Sequence, residues 1–174
     1  MTDGQVVVVP YDPDWPLRFE AERALLERVL APWLQGGVHH IGSTAIPGIA
    51  AKPIIDIMAG VRDLEEARAA FEPLREQSYL DAPHRADIAH HFVKPSLQQS
   101  AHGLHLTQPG SDLWRERLTF RDALRNAPTL AAEYETLKLR LAHEHHHDAQ
   151  AYTRHKRAFV VRVLASAGIP LGRA

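Results

Sequence analysis

The sequence predicts an α/β fold of the α+β kind: a small mixed sheet of about five strands, helices packed against it, and a helical C-terminal half. Three observations carry this reading. Short β-branched or apolar runs recur at 38–41, 53–61, 88–93 and 103–108, bounded by turn residues. Apolar residues at helical spacing fill the intervals before and after the first two runs. Beyond Pro109-Gly110, every segment favours helix.

Taken in order, Gln5 to Val9 is a short β-branched run closed by Pro10, and Tyr11-Asp12-Pro13-Asp14 reads as a turn into a helix. Asp14 is the expected N-cap with Pro16 just inside. Leu17, Ala21, Ala24, Leu25 and Arg28 then repeat at helical spacing until Pro32 and Gly36-Gly37, which places the helix end between Ala31 and Gln35. Val38 to Ile41 is a short strand delivered into Gly42-Ser43, and Pro53 to Val61 is a longer one interrupted by Asp56. Asp63 followed by Glu66 resembles a capping box and opens a helix over about 63–75. Ser78 to Leu80 is a brief strand, Ile88 to Val93 another, Lys94 to Ala101 a loop, and Gly103 to Gln108 a further strand. Three stripes then mark helices: Leu113, Arg117, Phe120 and Leu124; Leu130, Tyr134, Leu137 and Leu141; Tyr152, Phe159, Val160 and Val163, stopped by Gly168-Ile169-Pro170. The stripes read as core packing.

The 174 residues, 45% of them hydrophobic, suffice for one domain over 1–174 burying roughly 70% of its unfolded surface. A formal charge of −1 offers no whole-chain handle for nucleic acid or an anionic membrane. The absence of cysteine excludes disulfides and thiolate metal sites, leaving histidine and carboxylate as ligands. An acid at Asp3 stands where a signal peptide needs positive charge, and no apolar run is long enough to span a bilayer. The expectation is a soluble cytoplasmic protein.

Chemistry concentrates in GSTAIPGIAAKPIID, residues 42–56. A glycine and a serine directly after a strand let the backbone turn sharply and present free N–H groups and a hydroxyl to an anion. Lys52 and Asp56 fall on one face if both lie on the following strand, about 13 Å apart when extended, and so would hold opposite ends of a ligand. Asp56 between Ile54 and Met58 would be a carboxylate on an apolar surface, which requires a cation, several donors or a metal ion as partner. A structural hydrogen bond from a neighbouring loop is the other reading. His39-His40, His90-His91, and the tract His143, His145, His146 and His147 are less specific, the last reading as a solvated face. Arg121-Asp122 and Lys138 read as surface pairs or phosphate contacts.

The chain resembles the GrpB family, a branch of the nucleotidyltransferase superfamily. VVPYDPDWPLRFEAE, HIGSTAIPGIAAKPIIDI, HLT at 105–107, FRDALRNAP and EYETLKLRLA carry the resemblance across nearly the whole chain. It implies a nucleotidyltransferase-like fold in which Gly42, Ser43 and the adjoining Thr44 grip nucleotide phosphates, helped by Lys52. It also implies catalysis at Asp56 and Lys52, with a divalent metal (Mg²⁺ or Mn²⁺, or Zn²⁺ through histidine) on Asp56 and His105. The implied substrates are a nucleoside triphosphate and an unknown acceptor. The acid-x-acid pair of the superfamily is incomplete, since Met58 stands where the second acid belongs. His105 could take the place of the third ligand or carry a proton. The alternative expectation is a noncatalytic module that binds a nucleotide or other phosphorylated ligand, and a metal hydrolase built on Asp56 and His105 ranks below both.

Overall fold

The computed structural model describes residues 5–169; Asp3 and Pro170, both used in the sequence reading, lie outside the described residues. Five strands form one mixed sheet: β1 (Leu34–Ile41), β2 (Ile55–Val61), β3 (Leu80–Asp81), β4 (His90–Lys94) and β5 (His102–Thr107). Their spatial order is β1-β2-β5-β4-β3, with β2 and β5 parallel and every other pair antiparallel. The helices are α1 (Trp15–Val29), α2 (Phe71–Glu76), α3 (Asp112–Asn126), α4 (Pro128–Glu144) and α5 (Ala149–Ser166). The α+β architecture is the one expected.

Side chains alternate across each strand. Ile55, Ile57, Ala59 and Val61 join Leu104, Leu106 and Phe92 in a core covered by Trp15, Phe19 and Leu26 of α1, by Leu30 just after it, and by Ala67, Ala70 and Leu74 in and before α2. Each fully buried aliphatic or aromatic side chain there contributes about 1.5–3 kcal/mol. Asp56, Met58 and Gly60 face the opposite way, toward the C-terminal helices. Those helices enclose a second core of Leu124, Ala131, Tyr134, Phe159 and Val163, into which Ile46 and Ile49 of the β1–β2 connection insert. That insertion seats the connection carrying the Gly-Ser turn on the helical layer. Among the described residues no helix is long and apolar enough to cross a membrane.

Local departures from expectation have local causes. The Gln5–Val9 run makes only an isolated bridge, Val9 with Ala51. Asp14 occupies the N-cap without a side-chain bond, and its N–H donates to the Asp12 carboxylate at 2.9 Å. Helix α1 stops at Val29, and Trp33 N–H and Leu34 N–H both return to Leu30 O in a tight turn. Gly36 and Gly37 lie inside β1 as an irregularity, at φ of 83° and 85°. Asp63 accepts from the N–H groups of Glu65 and Glu66, but Glu66 pairs with Arg62 rather than closing a capping box. The expected 63–75 helix is therefore a 3₁₀ segment, Glu66–Ala70, continued by α2.

Candidate functional site

Strand β2 begins at Ile55, not Pro53, because the chain bends just before it: Ile54 N–H donates to Lys52 O at 2.8 Å. The strand alternation that would put Lys52 and Asp56 on one face therefore does not reach Lys52. Its charge nevertheless acts on Asp56 from the bend.

Asp56 is partly accessible and lies in a slot cleared by two glycines. A Cβ on Gly42 would sit 2.5 Å from Asp56 Oδ2, and one on Gly103 would sit 3.0 Å from Oδ1. Gly42 also has φ of 73° and ψ of −172°, a backbone state that side chains resist. Parallel pairing places Gly103 directly opposite Asp56. The Asp56 carboxylate makes no hydrogen bond or ion pair with another described residue. Burial lifts its pKa above the ordinary carboxylate range, opposed by the charges of Arg117, Lys156 and Lys52 and by His91.

Three cations from separate segments thus act on one carboxylate. Lys156 projects from α5 with its ammonium over the Tyr152 ring at 4.4 Å, and burial together with the Lys52 charge pushes its pKa down to about 8. Arg117 comes from α3. Burial pushes the hydroxyl of Tyr134, on α4, up, opposed by the nearby Ser43 and the Arg117 charge. Ser43 opens the 3₁₀ turn Ser43–Ala45 and remains partly accessible. Thr44 is turned away: its hydroxyl is buried, donates to Ile54 O and accepts from His40 Nε2, each at 3.0 Å. It braces the turn and has no spare proton for a phosphate.

The histidines separate by register. His39, Met58, His105 and His91 form one cross-strand row on the Asp56 face. His105 stacks on His91 with ring centroids 4.6 Å apart, and burial with the nearby Arg117 charge pushes it down to about 3, so it is neutral. The charge of His91 acts on Asp56. Its Nδ1 donates to Ala82 O at 3.1 Å, and Nε2 lies 3.8 Å from where a Gly103 Cβ would stand. His39 is tied to Gly36 O at 2.7 Å. His90 is buried on the other face and bonds Leu64 O.

The residues fit one divalent ion and not two. A carboxylate without a bonded partner and an imidazole nitrogen near it suit a single ion completed by ligand oxygens. Among the described residues no group of three His, Asp or Glu side chains could hold a metal alone, and Met58 is fully buried where a second acid would lie. The His143–His147 tract gives no such group either; His145 stacks on His155 at 4.5 Å.

Sequence reading missed Arg117 and Lys156, although both left a signal: each is a cation set within an apolar helical stripe. Lys138, offered as a phosphate contact, is buried. It donates to Ala50 O while Glu135 accepts from Ala50 N–H, so α4 clamps both backbone polar groups of one residue of the β1–β2 connection. Arg121 pairs with Asp122 at 2.7 Å and also donates to His40 O at 3.2 Å.

Residues 5–166 match the family model described as GrpB protein. The chain is 34% identical over 166 residues to the "Glutamate-rich protein GrpB" of Alkalihalophilus pseudofirmus, covering 92% of this chain and 95% of that one. It is 36% identical to a "UPF0157 protein" of Deinococcus radiodurans, over 95% of this chain and 84% of the relative. The crystal structure of conserved protein GrpB from Enterococcus faecalis superposes with a TM-score of 0.85 at 30% identity, covering 92% of this chain and 96% of that one. Family model, relatives and solved structure agree over nearly the full length, and the chain belongs to the GrpB family.

Proposed function

We propose that the site binds the phosphates of a nucleoside triphosphate and transfers the nucleotidyl group to an acceptor hydroxyl. The observation that supports this most is the convergence of Lys52, Arg117 and Lys156 on the open carboxylate of Asp56 beside the Gly42-Ser43 turn. A lone carboxylate does not need three cations, whereas a polyphosphate with its counter-ion needs both.

In this reading the Ser43 hydroxyl and the N–H groups of the turn donate to phosphate oxygens, and Lys52, Arg117 and Lys156 neutralise the charge that grows on the leaving pyrophosphate. Asp56 would hold a single divalent ion, Mg²⁺ or Mn²⁺ by its oxygen donor, with Zn²⁺ favoured only if His91 or His105 joins; such an ion supplies charge neutralisation at the phosphoryl oxygens. Nε2 of His91, the ring nitrogen not bonded to Ala82 O, accepts the proton of the acceptor hydroxyl as its oxygen attacks the α-phosphorus and the bond to pyrophosphate breaks. Most of the rate then comes from positioning and electrostatics.

Titration calorimetry with ATP, GTP, CTP and UTP, each with Mg²⁺ or Mn²⁺, tests binding. Metal-dependent binding of at least one triphosphate, lost in Asp56→Ala and weakened about tenfold in Lys156→Met, is the expected result. Binding of none, or binding undiminished in Asp56→Ala, would sink the proposal.

A second reading rests on one observation, the buried Met58 at the place of a second acid. It makes the protein a noncatalytic module that holds a nucleotide or other phosphorylated ligand. Pyrophosphate release over a mixture of hydroxyl acceptors separates the two, since turnover lost in His91→Gln rejects the binding-only view.

A further inference from the structure

A recess of about 290 Å³ lies at the free edge of β1, walled by α1, the Ser43–Ala45 turn and α3. Neither Asp56 nor Lys156 lines it. Its volume is at the lower end for small-molecule sites, roughly 300–1,000 Å³.

Backbone geometry makes its floor a hydrogen-bond donor. Ile55 N–H donates to Ala101 O, so Ile55 and Ile57 turn their polar groups toward β5, while Asp56 and Met58 turn theirs toward β1. His40, opposite Ile57, therefore points both its N–H and its C=O outward from the sheet. Arg121 takes the carbonyl at 3.2 Å, and the N–H is left facing the recess.

Cations surround that donor. Arg125, which lines the recess, is anchored through Nε on Ala45 O at 2.8 Å, and among the described residues no carboxylate is bonded to it. Arg23 lines the recess from α1 and, among the described residues, is paired only with Glu20, at 2.6 Å, both being about half exposed. The His40 ring is held neutral, its pKa down to about 4, by burial and by the charges of Arg125 and Arg121. The positive field is therefore felt within the recess, and Asp122 and Glu20 offset only part of it.

We propose that this recess binds a small ligand through a phosphate or carboxylate group seated between Arg125, Arg23 and the His40 N–H, separately from any phosphate at Ser43. One guanidinium anchored to a carbonyl, a second held beside Glu20, and one edge-strand amide form a cradle for a planar or tetrahedral oxyanion.

The test is a nuclear magnetic resonance titration of the whole protein, following the Arg Nε–H signals and the His40 amide, with inorganic phosphate in one arm and malonate in the other. Saturable shifts at Arg23, Arg125 and His40 are expected. They should weaken at least tenfold in R23Q/R125Q and about threefold in R23Q, which leaves the Ala45 anchor intact, and persist within twofold in K156M. Saturation by phosphate alone assigns a phosphate ester, and by malonate alone a carboxylic acid. No saturable shift at these groups with either probe, or titration of R23Q and R23Q/R125Q like wild type, overturns the proposal. Failure of nucleotide binding at Ser43 would leave it standing, because K156M reports on that site alone.

Discussion

At the scale of single residues, the Asp56 slot makes Gly42 and Gly103 obligatory. Gly42→Ala would drive a methyl against Oδ2 in a backbone region that costs about 1–3 kcal/mol by itself, so a loss of about 2 kcal/mol or more in urea denaturation is expected, together with loss of triphosphate binding. Two buried histidines set the acid limb of stability. His40 and His105 have folded pKa values of about 4 and about 3, below the 6.5 of the unfolded chain. Between those values the unfolded state binds more protons, so stability is full above pH 6.5 and falls as pH drops toward 4. Each should remove about 2 kcal/mol between pH 7 and pH 5, and His40→Gln should flatten the fall by one proton when denaturation is followed across that range.

At the scale of elements, the α4 clamp on Ala50 couples a helix to the connection that ends in Lys52. Burial pushes Lys138 down to about 7 from its usual 10.5, so between these values the unfolded chain holds the extra proton and stability rises with pH. The wild type should gain about 2 kcal/mol from pH 7 to pH 9 relative to Lys138→Met, measured by chemical denaturation. Equal slopes would show that the ammonium is not desolvated. Strands and helices were legible wherever a regular period governed a segment, as along β2, β5 and the three C-terminal helices. Boundaries slipped where one hydrogen bond overrode the period: Ile54 to Lys52 shortened β2, and Arg62 diverted Glu66 from its cap. The site was half legible for a related reason. Gly42, Ser43 and Asp56 are neighbours in sequence, while Arg117 and Lys156 reach them only through packing, and their sole trace was a charge on an apolar stripe. That His91 stacks on His105 follows from the β4–β5 register, which spacing within one segment does not reveal.

At the scale of the whole molecule, the two cores share the sheet between them, and the site draws on residues from both layers. Unfolding should therefore be one transition, with tryptophan fluorescence from Trp15, Trp33 and Trp114 and far-ultraviolet dichroism coinciding; separate midpoints would mean that the helical layer melts independently. A triphosphate bound at a hundred times its Kd should raise that single midpoint, by about 2.7 kcal/mol of added stability. The parallel β2–β5 pair also sets an order of assembly. Asp56 must wait for Gly103 to be synthesised before its slot has a second wall, and for Lys156, close to the end of the chain, before its charge is answered. On the ribosome the carboxylate is thus the first part of the site to emerge and the last to be satisfied. A chain that stalls or is clipped before α5 would carry a sheet already built around an unneutralised acid, with the apolar side of α4 bare beside it, and would be expected to engage chaperones or aggregate instead of persisting as a partial binder.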